Sequence, residues 1–242
     1  MTSCFAIRLS SDTVQPVIIL TGGISSPLGQ HSQSLSFANT VFKYQPHHGP
    51  EFKPLIGGFV GAEYSFYSFR KNWVWQYGLA FYQTALSSIK GEEAQAPIMA
   101  LDAINLWHYH YKILGRQLLI ENKLSLIYKE HYRPYLLAGI GESFNHAYGF
   151  QVTPQNSGEV ATAIFGSKKN QTFSYLFGLG VDADLNQHIR LGTGYRFAYL
   201  GKYDLGKGRL DTGVGGSVFD LPLLKSTHSY NHELLIQLTY LL

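Results

Sequence analysis

"FSYLFGLGVDADLNQHIRLGTGYRFAYL", residues 173–200, decides how the rest of the chain reads. Phe173, Tyr175, Phe177, Leu179 and Val181 alternate with Ser174, Leu176, Gly178, Gly180 and Asp182. After a short polar interval Ile189, Leu191, Tyr195, Phe197 and Tyr199 alternate with Arg190, Gly192, Gly194, Arg196 and Ala198. A period of two means strands whose side chains point to opposite faces. A sheet wet on one side would carry Lys, Glu and Thr on its second face. Here the second face is mostly glycine with a few charges. One face is built for an apolar medium and the other for a crowded space.

The composition agrees. Charged residues make up 14% of the chain, against about 25% in ordinary soluble domains. Aromatics also reach 14%, and there are 25 glycines. The mean hydropathy of −0.06 and the lack of any run of about 18 apolar residues argue against membrane-spanning helices. Cys4 is the single cysteine, which excludes an internal disulfide framework or a cysteine-based zinc site. A net charge of +3, scattered along the chain, does not point to nucleic acid. Residues 1–16 hold no continuous apolar core of the kind a signal peptide needs. They are set apart as an N-terminal segment, truncated or with a misassigned start, ahead of one domain at 17–242.

Alternation recurs at 17–24, 55–66, 73–86, 104–128, 134–146, 173–182, 189–199 and 232–242. The 104–128 stretch changes the phase of its apolar set near Gly115, from Trp107, Tyr109, Tyr111 and Ile113 to Leu118, Ile120, Leu124 and Leu126. That reads as one strand with a bulge at Gly115, although two strands with a turn there would also fit. The connections alternate strictly. Those at 25–53, 87–103, 149–171 and 202–229 are long; those at 70–71, 129–132 and 185–188 are short. This pattern predicts an all-β fold: an eight-stranded antiparallel up-and-down transmembrane β-barrel with short periplasmic turns and four longer outer loops. Closure pairs every backbone group in lipid, where an open edge could not be satisfied. Bulky side chains then face hydrocarbon, and glycines and ionic groups face the narrow interior.

By phase, Glu63, Glu121, Lys123, Arg196 and Glu233 face inward and are expected to pair in a lumen charge network. Asp182, Asp184 and Arg190 share that phase, but Asp184 and Arg190 flank a short turn and are expected to be solvated. Gly139, Gly141, Gly178, Gly180, Gly192 and Gly194 form an interior recess for bulky or charged groups from the opposite wall. Trp73, Trp75, Tyr135 and Tyr240 near the short turns, and Trp107, Tyr109 and Tyr199 towards the long loops, are expected in two aromatic belts at the membrane interfaces. Strand propensity alone would also enrich aromatics here.

At "YKILGRQLLIENKLSLIY", "HYRPYLLAGIGESFNHAYGF", "FSYLFGLGVDADLNQHIRLGTGYRFAYLGK" and "NHELLIQLTYLL" the chain resembles the small outer-membrane β-barrels of Gram-negative bacteria. These are the opacity-like surface antigens and the transmembrane domain of outer membrane protein A. The likeness runs from about residue 55 to the end. It implies a barrel in the bacterial outer membrane, with outer-membrane lipid, lipopolysaccharide and the assembly machinery as partners. It also implies a possible host or surface ligand at the outer loops. The closing alternation of Leu234, Ile236, Leu238, Tyr240 and Leu242 departs from the terminal aromatic usual in such barrels.

Other chemistry is weakly signalled. His108 and His110 share a strand face, but no partner carboxylates lie nearby in sequence, so no metal site is assigned. Ser143, His146 and Glu142 are close in sequence, yet Glu142 and Ser143 point to opposite faces, so no triad is assigned. The NQT at 170–172 reads as chance. "GLGVDADL" and "GTGYRF" lead into no helix and are not dinucleotide motifs. No cofactor is called for. The sequence reading is a structural, antigen- or adhesion-type surface barrel without catalysis, its lumen plugged by side chains. A passive pore, or a soluble lipocalin-like barrel with its apolar face inward, are the alternatives.

Overall fold

A computed structural model describes residues 14–28, 33–37, 40–47, 52–68, 71–97, 105–154, 162–211, 218–225 and 228–242. Residues 1–13 with Cys4, and Phe69 and Arg70 in the expected short connection, lie outside these.

Eight strands form a ring: β1 (Val14–Leu28), β4 (Lys53–Ser68), β5 (Lys71–Thr84), β7 (Asn105–Leu126), β8 (Tyr132–Pro154), β10 (Lys168–Asp184), β11 (Ile189–Gly201) and β14 (Ser229–Leu241). Each pairs antiparallel with the next ring strand in chain order, and β1 pairs with β14 to close the barrel. One hydrogen-bonded row runs Glu63, Gln76, Lys123, Leu137, Gly178, Arg196, Glu233, Ser25 and returns to β4 at Lys53. The circuit thus comes back ten residues away, from 63 to 53. With strands ~4.8 Å apart and ~3.3 Å per residue, that offset tilts the walls by roughly 40°.

The short connections are shaped locally. Tyr128 and Tyr132 exchange backbone hydrogen bonds at 2.7 and 3.0 Å around Lys129 and Glu130, which both have positive φ. At 185–188 the Asn186 Oδ1 accepts the amides of His188 and Ile189, each at 2.8 Å.

The long connections hold strands of their own. β2 (Gln33–Phe37) and β3 (Thr40–Pro46) pair with each other, β3 pairs with β6 (Ser87–Pro97), and β6 pairs with the upper part of β7. β9 (Thr162–Phe165), β12 (Gly208–Asp211) and β13 (Val218–Leu221) form a second sheet. The two sheets share an aromatic core that includes Phe42, Tyr44, Tyr109, Tyr111, Phe150, Phe165 and Tyr203. This cap sits on the barrel at the long-connection end.

β7 is one strand, and its inward set never changes: the odd-numbered residues from Trp107 to Ser125 are all buried. The bulge expected at Gly115 is therefore not there. What changes near Gly115 is the chemistry of the inward face, which is apolar above it and polar below. Above, the strand obeys the rule of a sheet in water; below, the rule of a barrel in lipid. The irregularity lies instead in β8, where the four residues 148 to 151 stand against the three residues 110 to 112 of β7. Gly149, with φ of 67°, takes up the extra residue in a conformation that disfavours a side chain.

Candidate functional site

The outward side chains of the ring are apolar along its whole circumference. Ile18, Leu20, Ile56, Val60, Leu79, Phe81, Leu118, Ile120, Leu136, Ile140, Phe177, Leu179, Leu191, Leu234 and Ile236 are all exposed. The inward side chains include Glu63, Gln76, Glu121, Lys123, Asp182, Arg190, Arg196, Glu233 and Gln237, all buried. Side chains so placed rule out the lipocalin-like alternative, which needs the greasy face inside. They fit a barrel whose solvent is hydrocarbon.

Inside, the charges form connected groups. Nearest the short turns, Arg190 holds Glu63 through both guanidinium Nη atoms, with Nη2 to Oε1 at 2.7 Å. Gln76 Nε2 donates to Glu63 Oε2 at 2.8 Å. Asp184 lies 2.9 Å from both Arg190 Nε and Arg133 Nη2. Lys123 Nζ lies 2.6 Å from Asp182 Oδ2 and 3.2 Å from Gln237 Oε1, with the Tyr135 ring 3.9 Å away. Higher up, Arg196 Nε is bound to Glu233, and both side chains are 0% exposed. The Arg196 guanidinium lies 3.6 Å over the Tyr82 ring, whose hydroxyl donates to Glu121 Oε2 at 2.8 Å. Ser25 Oγ donates to Glu233 Oε1 at 3.2 Å.

The five residues singled out by phase are brought into the lumen; Arg196 pairs with Glu233 within the set, while Glu63 and Lys123 pair outside it, with Arg190 and Asp182. Arg190, expected to be solvated, is buried and binds Glu63; Asp184 is part-buried and bridged by two arginines. Arg133 was missed altogether. Its signal was a basic residue in inward phase one step into β8.

The six glycines lie on the inward side of β8, β10 and β11. Their recess is filled from the same wall, not the opposite one. The Tyr135 hydroxyl lies where a Cβ on Gly180 or Gly194 would stand, and the Asp182 carboxylate does the same at Gly192. Tyr135 therefore faces inward and is buried, which removes it from the lower belt. Trp107 and Tyr109 also leave the belts: they are buried in the cap, above the lipid boundary on β7, where apolar side chains turn in. Of the other expected belt members, Trp75 and Tyr240 are exposed, and Trp73 and Tyr199 are half-buried. Tyr199 stacks on Tyr175 with centroids 5.0 Å apart.

Ser143 points inward and donates to the Leu200 carbonyl, while Glu142 and His146 lie on the outer face. His108 and His110 also face outward, opposite Glu92 and Lys90. Among the described residues no group of three His, Cys, Asp or Glu side chains is placed to hold a metal.

A closed eight-stranded ring, apolar outside and ionic within, with short turns at one end and built-up connections at the other, has the architecture of a transmembrane β-barrel of the bacterial outer-membrane type. No protein-family model matches the sequence, and no curated protein matches it. Among solved structures the chain is similar to Neisserial surface protein A, at 12% identity over 95% of this chain and 99% of that one, with a TM-score of 0.41. It is similar to the outer membrane protein OprG from Pseudomonas aeruginosa, at 10% identity over 93% and 95%, with a TM-score of 0.47. It is also similar to the outer membrane protease OmpT from Escherichia coli, at 10% identity over 96% and 98%, with a TM-score of 0.49. These likenesses carry neither an activity nor a partner over to this chain.

Proposed function

We propose that the protein is a non-catalytic surface barrel that anchors a folded cap outside the outer membrane. Its lumen is closed to bulk flow by its own ion pairs. The observation that carries this is the Arg196–Glu233 pair, wholly buried in the lumen and backed by Tyr82 and Glu121. An eight-stranded barrel is narrow enough for side chains to fill, and charged groups buried this way hold each other in place because separation leaves each unpaired. The partners in this reading are outer-membrane lipid and lipopolysaccharide, the assembly machinery that inserts the barrel, and a host or surface ligand meeting the cap. Nucleic acid is not among them.

Two measurements test it. Reconstituted protein in planar bilayers is expected to give no steady single-channel steps; regular steps would establish the passive pore instead. Protease added to intact cells is expected to cut within the long connections and leave a membrane-protected barrel fragment. Full protection would place the cap on the inner side and end the surface-display reading.

A further inference from the structure

Two strands of the cap stand at the edges of their sheets. Among the described residues β2 pairs only with β3, and β13 only with β12. Successive residues of an antiparallel strand turn their N–H and C=O to opposite sides, so the ladders tell which groups each edge leaves over. His47 N donates to Lys90 O in register with the β3–β6 ladder, so Val41, Lys43 and Gln45 face β6. Thr40, Phe42 and Tyr44 then face Phe37, Leu35 and Gln33, which turns the backbone groups of Ser34 and Ser36 to the free edge of β2. Gly166 N donates to Lys207 O in register with the β9–β12 ladder, so Gly208 and Leu210 face Leu221 and Phe219. The backbone groups of Val218 and Asp220 therefore point away from β12, to the free edge of β13.

Both strands border one cleft of about 730 Å³, which Ser34 and Asp220 line together. The run 220–223 lines it without a break, so this stretch meets the cleft along its edge and not with one face. Leu221, Pro222 and Leu223 make the lining apolar, and Lys207 and Lys225 add positive charge. Two more cations stand close by in register: Lys43 opposite Ser34, and Arg209 opposite Asp220. Lys43, Lys207, Arg209 and Lys225 are all exposed, and among the described residues none is in an ion pair. Asp220 is the one acid among the described residues of the lining. Lysines beside an edge discourage pairing between like-charged copies of a chain. That guarding role does not call for an apolar trough alongside them.

We propose that the cleft takes an extended acidic segment of a partner protein, which adds a strand to the free edges of the cap. Main-chain hydrogen bonds to Ser34, Ser36, Val218 and Asp220 supply the affinity, as strand addition does generally. Alternate side chains of an extended segment point to opposite sides. Apolar ones meet Leu221 and Leu223, and acidic ones meet Lys207 and Lys225. β2 offers five residues of edge, a length of ~17 Å, and the cleft volume lies in the ordinary range for a binding site. The same cations that repel a second copy of this cap select an acidic strand. The proposal rests on the reading that the cap meets a surface ligand outside the membrane. Binding in micelles does not require that orientation, so failure here and failure of the protease test are distinguishable.

The test uses the full chain folded in detergent micelles and a fluorescent peptide of about six residues, alternating glutamate and valine, read by anisotropy. Two control peptides carry lysine in place of glutamate, or methyl groups on the backbone nitrogens. Both are expected to bind about tenfold more weakly or worse, since each methyl removes a main-chain donor. Ser34→Pro and Asp220→Pro each delete one N–H from a free edge, where proline is tolerated, and either should weaken binding about fivefold. Asp220→Asn, which keeps that N–H, should bind no more weakly than the unaltered chain. Lys207→Gln with Lys225→Gln should weaken binding about fivefold, an effect that shrinks at high salt. Heat-modifiable gel migration checks that each variant is folded, and the methylated peptide needs no variant at all. Equal binding of the methylated or the lysine peptide, or undiminished binding by both proline variants, would overturn the proposal. Dimers of the unaltered protein that the proline variants abolish would overturn it too, by giving the edges to a second copy of this chain.

Discussion

Arg190 on β11 and Glu63 on β4 are joined across the inside of the barrel, with β14 and β1 standing between their strands in the wall. The pair is therefore a transverse strut. It ties together strands that share no backbone hydrogen bond.

Glu63→Gln should leave the Arg190 guanidinium buried with a weakened partner. Removing one member of a buried pair costs about 3–5 kcal/mol, whereas replacing both by apolar residues is often close to neutral. The expected result is that Glu63→Gln lowers the heat-modifiability transition more than Glu63→Leu with Arg190→Met does. A double variant at least as damaged as the single one would show that the strut stabilises the barrel through more than its charge balance.

Arg196→Leu should likewise lower the transition, because Glu233 and Glu121 are then buried together without their shared cation. Insertion into lipid should be unaffected, since the outer face is unaltered. Circular dichroism melts in micelles and membrane flotation measure the two separately. An unchanged melt would remove Arg196 from the structural core of the lumen.

Gly194→Val should collide first with the Tyr135 hydroxyl, and Gly180→Val with that hydroxyl and with the Thr193 carbonyl oxygen. Overpacking of this kind typically costs about 1–3 kcal/mol. Tyr135→Ala vacates the space, so combining it with either valine should recover part of that loss. A double-mutant cycle in denaturant melts reads the coupling; strict additivity would mean the ring does not occupy the glycine recess.

The lipid-facing assignment predicts a contrast between two equally exposed isoleucines. Ile140 on β8 and Ile164 on β9 are each 57% exposed. Arg at Ile140 should cost up to about 2–4 kcal/mol, depending on depth, because hydrocarbon surrounds it. Arg at Ile164, in the cap, should cost little. Equilibrium unfolding in lipid vesicles compares them, and equal effects would remove the hydrocarbon boundary from between the two sites.

Burial raises the Tyr44, Tyr109, Tyr111 and Tyr203 hydroxyls above their ordinary pKa of 10.0, with Glu93 adding to the effect at Tyr44 and Tyr109. As pH climbs past that value the unfolded chain loses its tyrosine protons before the folded cap does. The cap's stability from these groups is thus full below about pH 10 and declines above it. Tyrosinate absorbance should lag behind that of denatured protein, and protease should nick the cap in alkali while the barrel still migrates as folded. Coincident titration of folded and denatured protein would contradict the burial.

Much of the wall was legible because parity in a strand is strict. Residues 173–200 declare their two faces, and the even-odd assignment of Glu63, Lys123, Arg196 and Glu233 follows from it. Partnership was not legible. Arg190 meets Glu63 only because the tilted walls bring distant strands together, and one strand's alternation does not encode that offset. Trp107 and Tyr109 were misplaced for a different reason. Hydropathy alone could not say that β7 leaves the lipid near Gly115, after which apolar residues turn inward, so a change of solvent looked like a change of geometry.

Gly149 also bears on how such a wall can change length. An insertion of two residues below the lipid boundary would preserve which side chains look outward, whereas one residue would turn every later side chain round. β8 carries one such odd residue at Gly149, in the aqueous cap, where a left-handed glycine absorbs it without disturbing the lipid-facing half. Length variation in this wall should therefore come in pairs within the hydrocarbon and singly only above it.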